Sequence, residues 1–117
     1  MIINKKDIIL INQEIGEDGE FSNESSLDFA LQIVKRKRSW LYELSYLVRS
    51  LLVDHVFTDG NKRTAFTLVI YYFNELEIEC DKEKLKNNIY DIAKKNIIDI
   101  NQIVRRIDHV VIGARKD

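Results

Sequence analysis

Residues 55–63 read His55-Val56-Phe57-Thr58-Asp59-Gly60-Asn61-Lys62-Arg63, and they lie between two strongly apolar runs. In the run before them, Trp40, Leu44, Leu47, Val48, Leu51 and Leu52 recur at helical spacing, with Ser39 placed to cap the helix. The run after them, Asn61 to about Leu76, carries Ala65, Phe66, Leu68, Val69, Ile70, Tyr72, Phe73 and Leu76. Those residues cover most of a helix circumference, which predicts a central helix enclosed by the others. A polar, charged, glycine-containing loop therefore sits in the most hydrophobic part of the chain. A plain connector has no need of His, Asp, Asn, Lys and Arg at such density, so the loop reads as a chemical site.

Each residue type has a physical use there. Asn61 to Arg63 enter the second helix, whose first-turn N–H groups lack intrahelical partners and, with the helix dipole, attract anions. Gly60 permits a tight turn and close approach of an anion to the backbone. Lys62 and Arg63 add full positive charge, and Arg grips phosphate oxygens in a bidentate fork. Asp59 is the loop's only carboxylate; beside a phosphate it suits a Mg²⁺ ligand. Thr58 is expected outward, and Phe57 is expected to plug the core for about 1.5–3 kcal/mol. His55, at the end of the preceding helix, belongs to the residue type that titrates near neutrality and can take a proton from an attacking hydroxyl. The set suits transfer of a phosphate-containing group from a nucleotide to a hydroxyl.

At these residues the chain resembles the Fic/Doc (Fido) family, whose signature is His-x-Phe-x-Asp/Glu-Gly/Ala-Asn-Gly/Lys-Arg. The match runs unbroken from His55 to Arg63 and continues into Thr64-Ala65. The resemblance implies an all-α fold of Fido type, with His55 as general base and Asp59 as the Mg²⁺ ligand. It implies Gly60, Asn61, Lys62 and Arg63 around the phosphates of ATP. Adenylyl-transferring members usually carry Gly at the position of Lys62 and a second Arg at that of Phe66. Both departures resemble the Doc toxin branch, which phosphorylates a translation elongation factor; Gly60, where Doc has Ala, is a minor difference. The expected function is thus a Doc-like protein kinase toxin. Adenylyl transfer (AMPylation) or a catalytically silent binding module are the alternatives, and a nucleic-acid-binding helical module is a third. The Ser/Thr-x-x-x-Glu-Gly/Asn inhibitory motif of many Fic proteins is not found, so a small antitoxin acting in trans is the expected inhibitor. It would dock as a helix in an apolar groove beside Arg63.

The remaining sequence reads as one domain, residues 1–117, of about six helices. At 117 residues the chain is long enough for a single core, burying about 60–70% of its unfolded surface. A net charge of −1 carries no basic footprint for nucleic acid, and no apolar run reaches the roughly 20 residues of a membrane span. One cysteine, Cys80, leaves no internal disulfide, and the N-terminus shows no signal-peptide pattern; both point to the cytoplasm. Asn4 is expected to cap a first helix through about Ile15, with Ile8, Ile11 and Ile15 on one face and Gly16 as its stop. Gly16 to Asn23 reads as a loop or small hairpin, and the resemblance makes it a flap that pairs with a target peptide. Ser25 or Ser26 is expected to cap a second helix with Leu27, Ala30, Leu31 and Val34 inward. The basic run Lys35 to Arg38 at its end suits the helix dipole. Glu75 to Cys80 reads as a link. Asp81 is expected to cap a fifth helix bearing Leu85, Ile89, Ile92 and Ala93, which ends near Asn96. Asp99 is expected to cap a sixth helix, with Ile100, Ile103, Val104, Ile107 and Val111 inward and Gly113 just past its end. Cys80 reads as a small buried hydrophobe, and His109 as a surface residue.

Overall fold

A computed structural model describes residues 3–36 and 39–114. Six helices follow one another: α1 (Lys5–Glu14), α2 (Glu24–Lys35), α3 (Trp40–Leu52), α4 (Asn61–Glu75), α5 (Lys82–Lys95) and α6 (Ile100–His109). Local chemistry sets most of their starts. Asn4 and Asp7 form a reciprocal capping box, Ser39 caps α3 through the Tyr42 amide, and Asp81 and Asp99 cap α5 and α6. At the far end of α5, Asn96 adopts the left-handed conformation that stops a helix.

The cap of α2 is Asn23, and Ser25 and Ser26 lie inside the helix. Asn23 wins because its side chain does two jobs. It accepts from the Ser26 amide at 3.3 Å and donates to the Asp54 carbonyl at 3.2 Å, tying the start of α2 to the end of α3. Lys35 and Arg36 close α2 as the dipole argument requires, while Lys37 and Arg38 lie outside the described residues.

The expected all-α fold is mostly helical instead. Ile78–Cys80 forms a strand, β1, which pairs antiparallel with β2 (Val111–Ala114) across a register shift at Glu79/Cys80. Val111 and Gly113 therefore belong to a strand, and α6 stops at His109. The β-branched pair Val111-Ile112 suits a strand better than another helical turn. The expected link after α4 supplies its partner.

The core is built by α3 and α4 jointly. Leu44, Leu47, Val48 and Leu51 of α3 and Ala65, Leu68, Val69, Tyr72 and Phe73 of α4 are almost wholly excluded from solvent. α3 packs on α2, α4, α5 and α6, whereas α4 packs on α1, α3, α5 and β1. Thus α4 is not enclosed on every side: Tyr71 is 44% exposed, and Asn74 and Glu75 face out. Among the described residues no helix is long and apolar enough to cross a membrane.

Two ionisable side chains are buried in this core. The Tyr72 hydroxyl is buried without a hydrogen-bond partner. Burial, and after it the nearby Glu43 carboxylate, push its phenol upward. Glu43 is 8% exposed, and burial pushes its carboxyl above the ordinary glutamate value. Folded protein then holds that proton more tightly than unfolded chain. The Glu43 contribution to stability is full below the unfolded value of about 4.3 and is lost as pH rises through the folded one. Glu43→Gln should match wild type in urea unfolding below about pH 4 and exceed it at pH 7. Tyr72→Phe should be neutral or stabilising by up to about 1 kcal/mol, since no hydrogen bond is lost.

Candidate active site

The loop between α3 and α4 is closed by one side chain. Asn61 accepts from the Phe57 amide at 3.0 Å and donates to the Phe57 carbonyl at 2.9 Å. Phe57 itself is 1% exposed and plugs the core as expected, stacked on Phe21 with ring centroids 5.3 Å apart. Thr58 faces out. Within this clamp Gly60 takes a left-handed backbone (φ +78°) as the N-cap of α4, with no side chain capping the helix. A side chain there would be strained by φ, and its Cβ would fall 2.6 Å from Glu17 Cγ. The first-turn N–H groups of α4 consequently lie uncapped beneath a turn that brings the backbone to the surface.

His55, Asp59, Gly60, Asn61, Lys62 and Arg63 all line a single open cleft of about 390 Å³. His55 is exposed and holds a left-handed backbone at φ +53°, a conformation that costs a non-glycine residue energy and is enriched at functional sites. The Asp59 side chain is exposed, while its carbonyl is fixed from behind. Lys62 is exposed with its ammonium 5.5 Å from the centre of the Tyr90 ring, a cation–π distance. The Asn61 carboxamide has given its oxygen and one N–H to Phe57, so its free contributions to the cleft are the backbone N–H and the second amide hydrogen.

Three further residues shape this cleft and were not singled out from the sequence. Asn12, on α1, is 1% exposed. Its amide nitrogen donates to the Asp59 carbonyl at 3.0 Å and to Thr64 Oγ1 at 3.1 Å, and its oxygen accepts from the Gly19 amide at 2.9 Å. Glu17 pairs with Arg63 at 2.5 Å, and the same guanidinium donates to the Ile15 carbonyl at 2.9 Å. Tyr90, on α5, forms the far wall. A lone Asn in an apolar helical stripe was the available signal for Asn12; nothing local marks Glu17 or Tyr90.

The Gly16 to Asn23 segment pairs with the motif loop through an antiparallel bridge between Phe21 and Phe57. Thr58 N–H donates to the Glu20 carbonyl at 3.0 Å, and Ser22 N–H to the Val56 carbonyl at 2.7 Å. These bonds flank Phe21, whose own N–H and C=O face the opposite edge of the segment.

Of the two carboxylates in the cleft, Glu17 is engaged by Arg63, which leaves Asp59 for a divalent ion, and among the described residues no group of three His, Cys, Asp or Glu side chains gathers. That donor set fits Mg²⁺ carried in with a polyphosphate, since Mg²⁺ is commonly held by one or two carboxylates plus phosphate oxygens and water. Cys80 is half-buried in β1, and burial pushes its thiol up, away from a nucleophilic role. His109 is exposed in the last turn of α6.

No family model, no curated protein and no solved structure matches this chain.

The Glu17 carboxylate competes with any anion for Arg63. Glu17→Gln should raise affinity for inorganic pyrophosphate roughly fivefold, the factor that about 1 kcal/mol of a partly exposed ion pair represents. Titration calorimetry at low and high salt would read the gain, and high salt should shrink it. Asn12→Asp should destabilise the fold by about 1–3 kcal/mol in urea unfolding, because it sets a carboxylate oxygen against the Asp59 carbonyl.

Proposed function

We propose that this protein is a Mg²⁺- and ATP-dependent phosphotransferase of Doc-like Fido type, acting on a hydroxyl of a protein substrate. One observation carries the reading: the six candidate site residues, His55, Asp59, Gly60, Asn61, Lys62 and Arg63, line one cleft around the left-handed N-cap of α4. Arg63, Lys62 and the first-turn N–H groups of α4 are the phosphate-holding groups, and Asn61 fixes the loop that presents them. Mg²⁺, bound with the nucleotide and Asp59, would neutralise charge on the phosphates.

His55 lies exposed at the mouth of the cleft, where it can accept the proton of the incoming hydroxyl. The hydroxyl oxygen then bonds to the γ-phosphorus, the bond from that phosphorus to the β–γ bridging oxygen breaks, and ADP leaves with the electron pair. Positioning and charge stabilisation supply most of the rate. The free edge at Phe21 supports binding of an extended target segment by main-chain pairing. The target class suggested by the resemblance is a translation elongation factor, with a small antitoxin as inhibitory partner.

The deciding experiment is incubation with cell lysate and ATP labelled at the α- or the γ-position. Label in protein from the γ-position alone is the expected result, and label from the α-position would establish adenylyl transfer instead. His55→Ala should bind ATP normally while transfer falls about 10²–10⁴-fold. Asp59→Ala should lose the Mg²⁺-dependent part of ATP binding.

A further inference from the structure

Away from the cleft, α2 and α3 share an aromatic patch that plays no part in the proposed chemistry. On the exposed side of α2, Ser25, Phe29, Gln32 and Arg36 follow at i, i+4, i+7 and i+11, one stripe of a helix. Phe29 is 52% exposed and meets Tyr46 of α3 edge-on, with ring centroids 6.2 Å apart. Tyr46 lies against Tyr42 at 6.2 Å, and the Arg49 guanidinium sits 4.8 Å from its ring centre. Arg49 also donates to the Ile98 carbonyl at 3.2 Å, which joins Ile98, 64% exposed, to the patch. None of these residues lines the motif cleft. Phe, Tyr and Arg gathered on a surface are the residue types that anchor protein interfaces.

The exposed face of α2 has poles of opposite charge. At its start stand the carboxylates of Glu24 and Asp28, both paired with Lys5, and the Ser26 hydroxyl donates to a third, Asp54, at 2.6 Å. At its other end Lys35 and Arg36 are exposed and make no ion pair among the described residues. The helix dipole by itself accounts for acids at the start and bases at the end. It does not account for a half-exposed phenylalanine between them. We propose that this face is the contact between two copies of the chain, an isologous dimer with the two α2 helices antiparallel. A two-fold axis at Gln32 sets Asp28 of each copy opposite Arg36 of the other, four residues, or about 6 Å, to either side. Phe29 then lies about 4.5 Å along the helix from the two-fold, against the Lys35 methylenes of the second copy, which can cover its ring. Parallel helices would instead set like charges against each other. A nucleic acid suits the face poorly, since one pole is acidic and Arg49 already covers the Tyr46 ring.

Sedimentation velocity of the full chain across a wide range of concentration tests the contact. A reversible monomer–dimer equilibrium is expected, and salt should weaken it. Phe29→Glu should weaken association about tenfold or more, and Phe29→Gln repeats the test without a new charge. Arg36→Asp and Asp28→Arg should each weaken it about tenfold, because each sets like charges opposite one another. The double variant restores opposite charges in both pairs and should return the equilibrium to within about twofold of wild type. Far-UV circular dichroism checks that each variant is folded. A chain that stays monomeric at every concentration overturns the proposal, as does a dimer that both Phe29 variants leave intact. A double variant as weak as the single ones removes the two-fold register, and an open series of oligomers marks a head-to-tail contact instead. Monomer retained on single-stranded RNA at low salt, and released by Phe29→Glu, would assign the face to nucleic acid.

Discussion

A single buried carboxamide holds the site together. Asn12 faces an obligate donor, the Gly19 N–H, and an obligate acceptor, the Asp59 carbonyl, so its orientation is set without ambiguity. Through it α1, the Gly16 to Asn23 segment, the motif loop and the first turn of α4 meet at one point. An amide excluded from water costs free energy unless every bond is made, and here three are made. The motif loop can therefore present polar groups outward because its rear is saturated. Shifting the loop would unpair a buried group, which makes the exposed arrangement rigid without burying it.

The same logic separates the inner and outer halves of the loop. Val56, Phe57 and Asn61 face inward and carry the structure, through burial in the first two and the reciprocal backbone bonds of the third. His55, Asp59, Lys62 and Arg63 are exposed and form the outer, polar half. Among the described residues Arg63 is the one of these with an ion-pair partner, Glu17, and that carboxylate together with Asp59 opposes the positive potential of the cleft. A ligand anion arriving at Arg63 exchanges one carboxylate for another oxyanion, so the arginine is never left with its charge uncompensated.

The helices were legible because each announces itself over many residues: an apolar stripe such as Leu44, Leu47, Val48 and Leu51, and a cap such as Ser39 or Asp81. The gathering of His55 to Arg63 was legible because the residues are contiguous and flanked by helices that hold them still. What escaped was decided at a distance. Asn23 outcompeted Ser25 and Ser26 for the cap because Asp54, 31 positions on, rewards it. β1 and β2 are too short to show a period of their own and exist through mutual pairing. Glu17 and Tyr90 enter the cleft from α1–α2 and α5, and no local pattern marks a residue whose partner lies 46 positions away. The face of α4 that carries Tyr71 shows the converse, since an apolar residue in sequence need not be an enclosed one.

The β1–β2 pair has a consequence for how the molecule opens. It clasps the chain just before α5 and just after α6, so those two helices form a closed excursion stapled at its base. Opening the clasp alone would not free the excursion, because Leu85, Ile89 and Ile92 of α5 and Ile103 and Ile107 of α6 are buried in the core. Clasp and core packing together hold α5, and with it Tyr90, whose ring is the far wall of the cleft, so the shape of the site rests on a pairing made far from it.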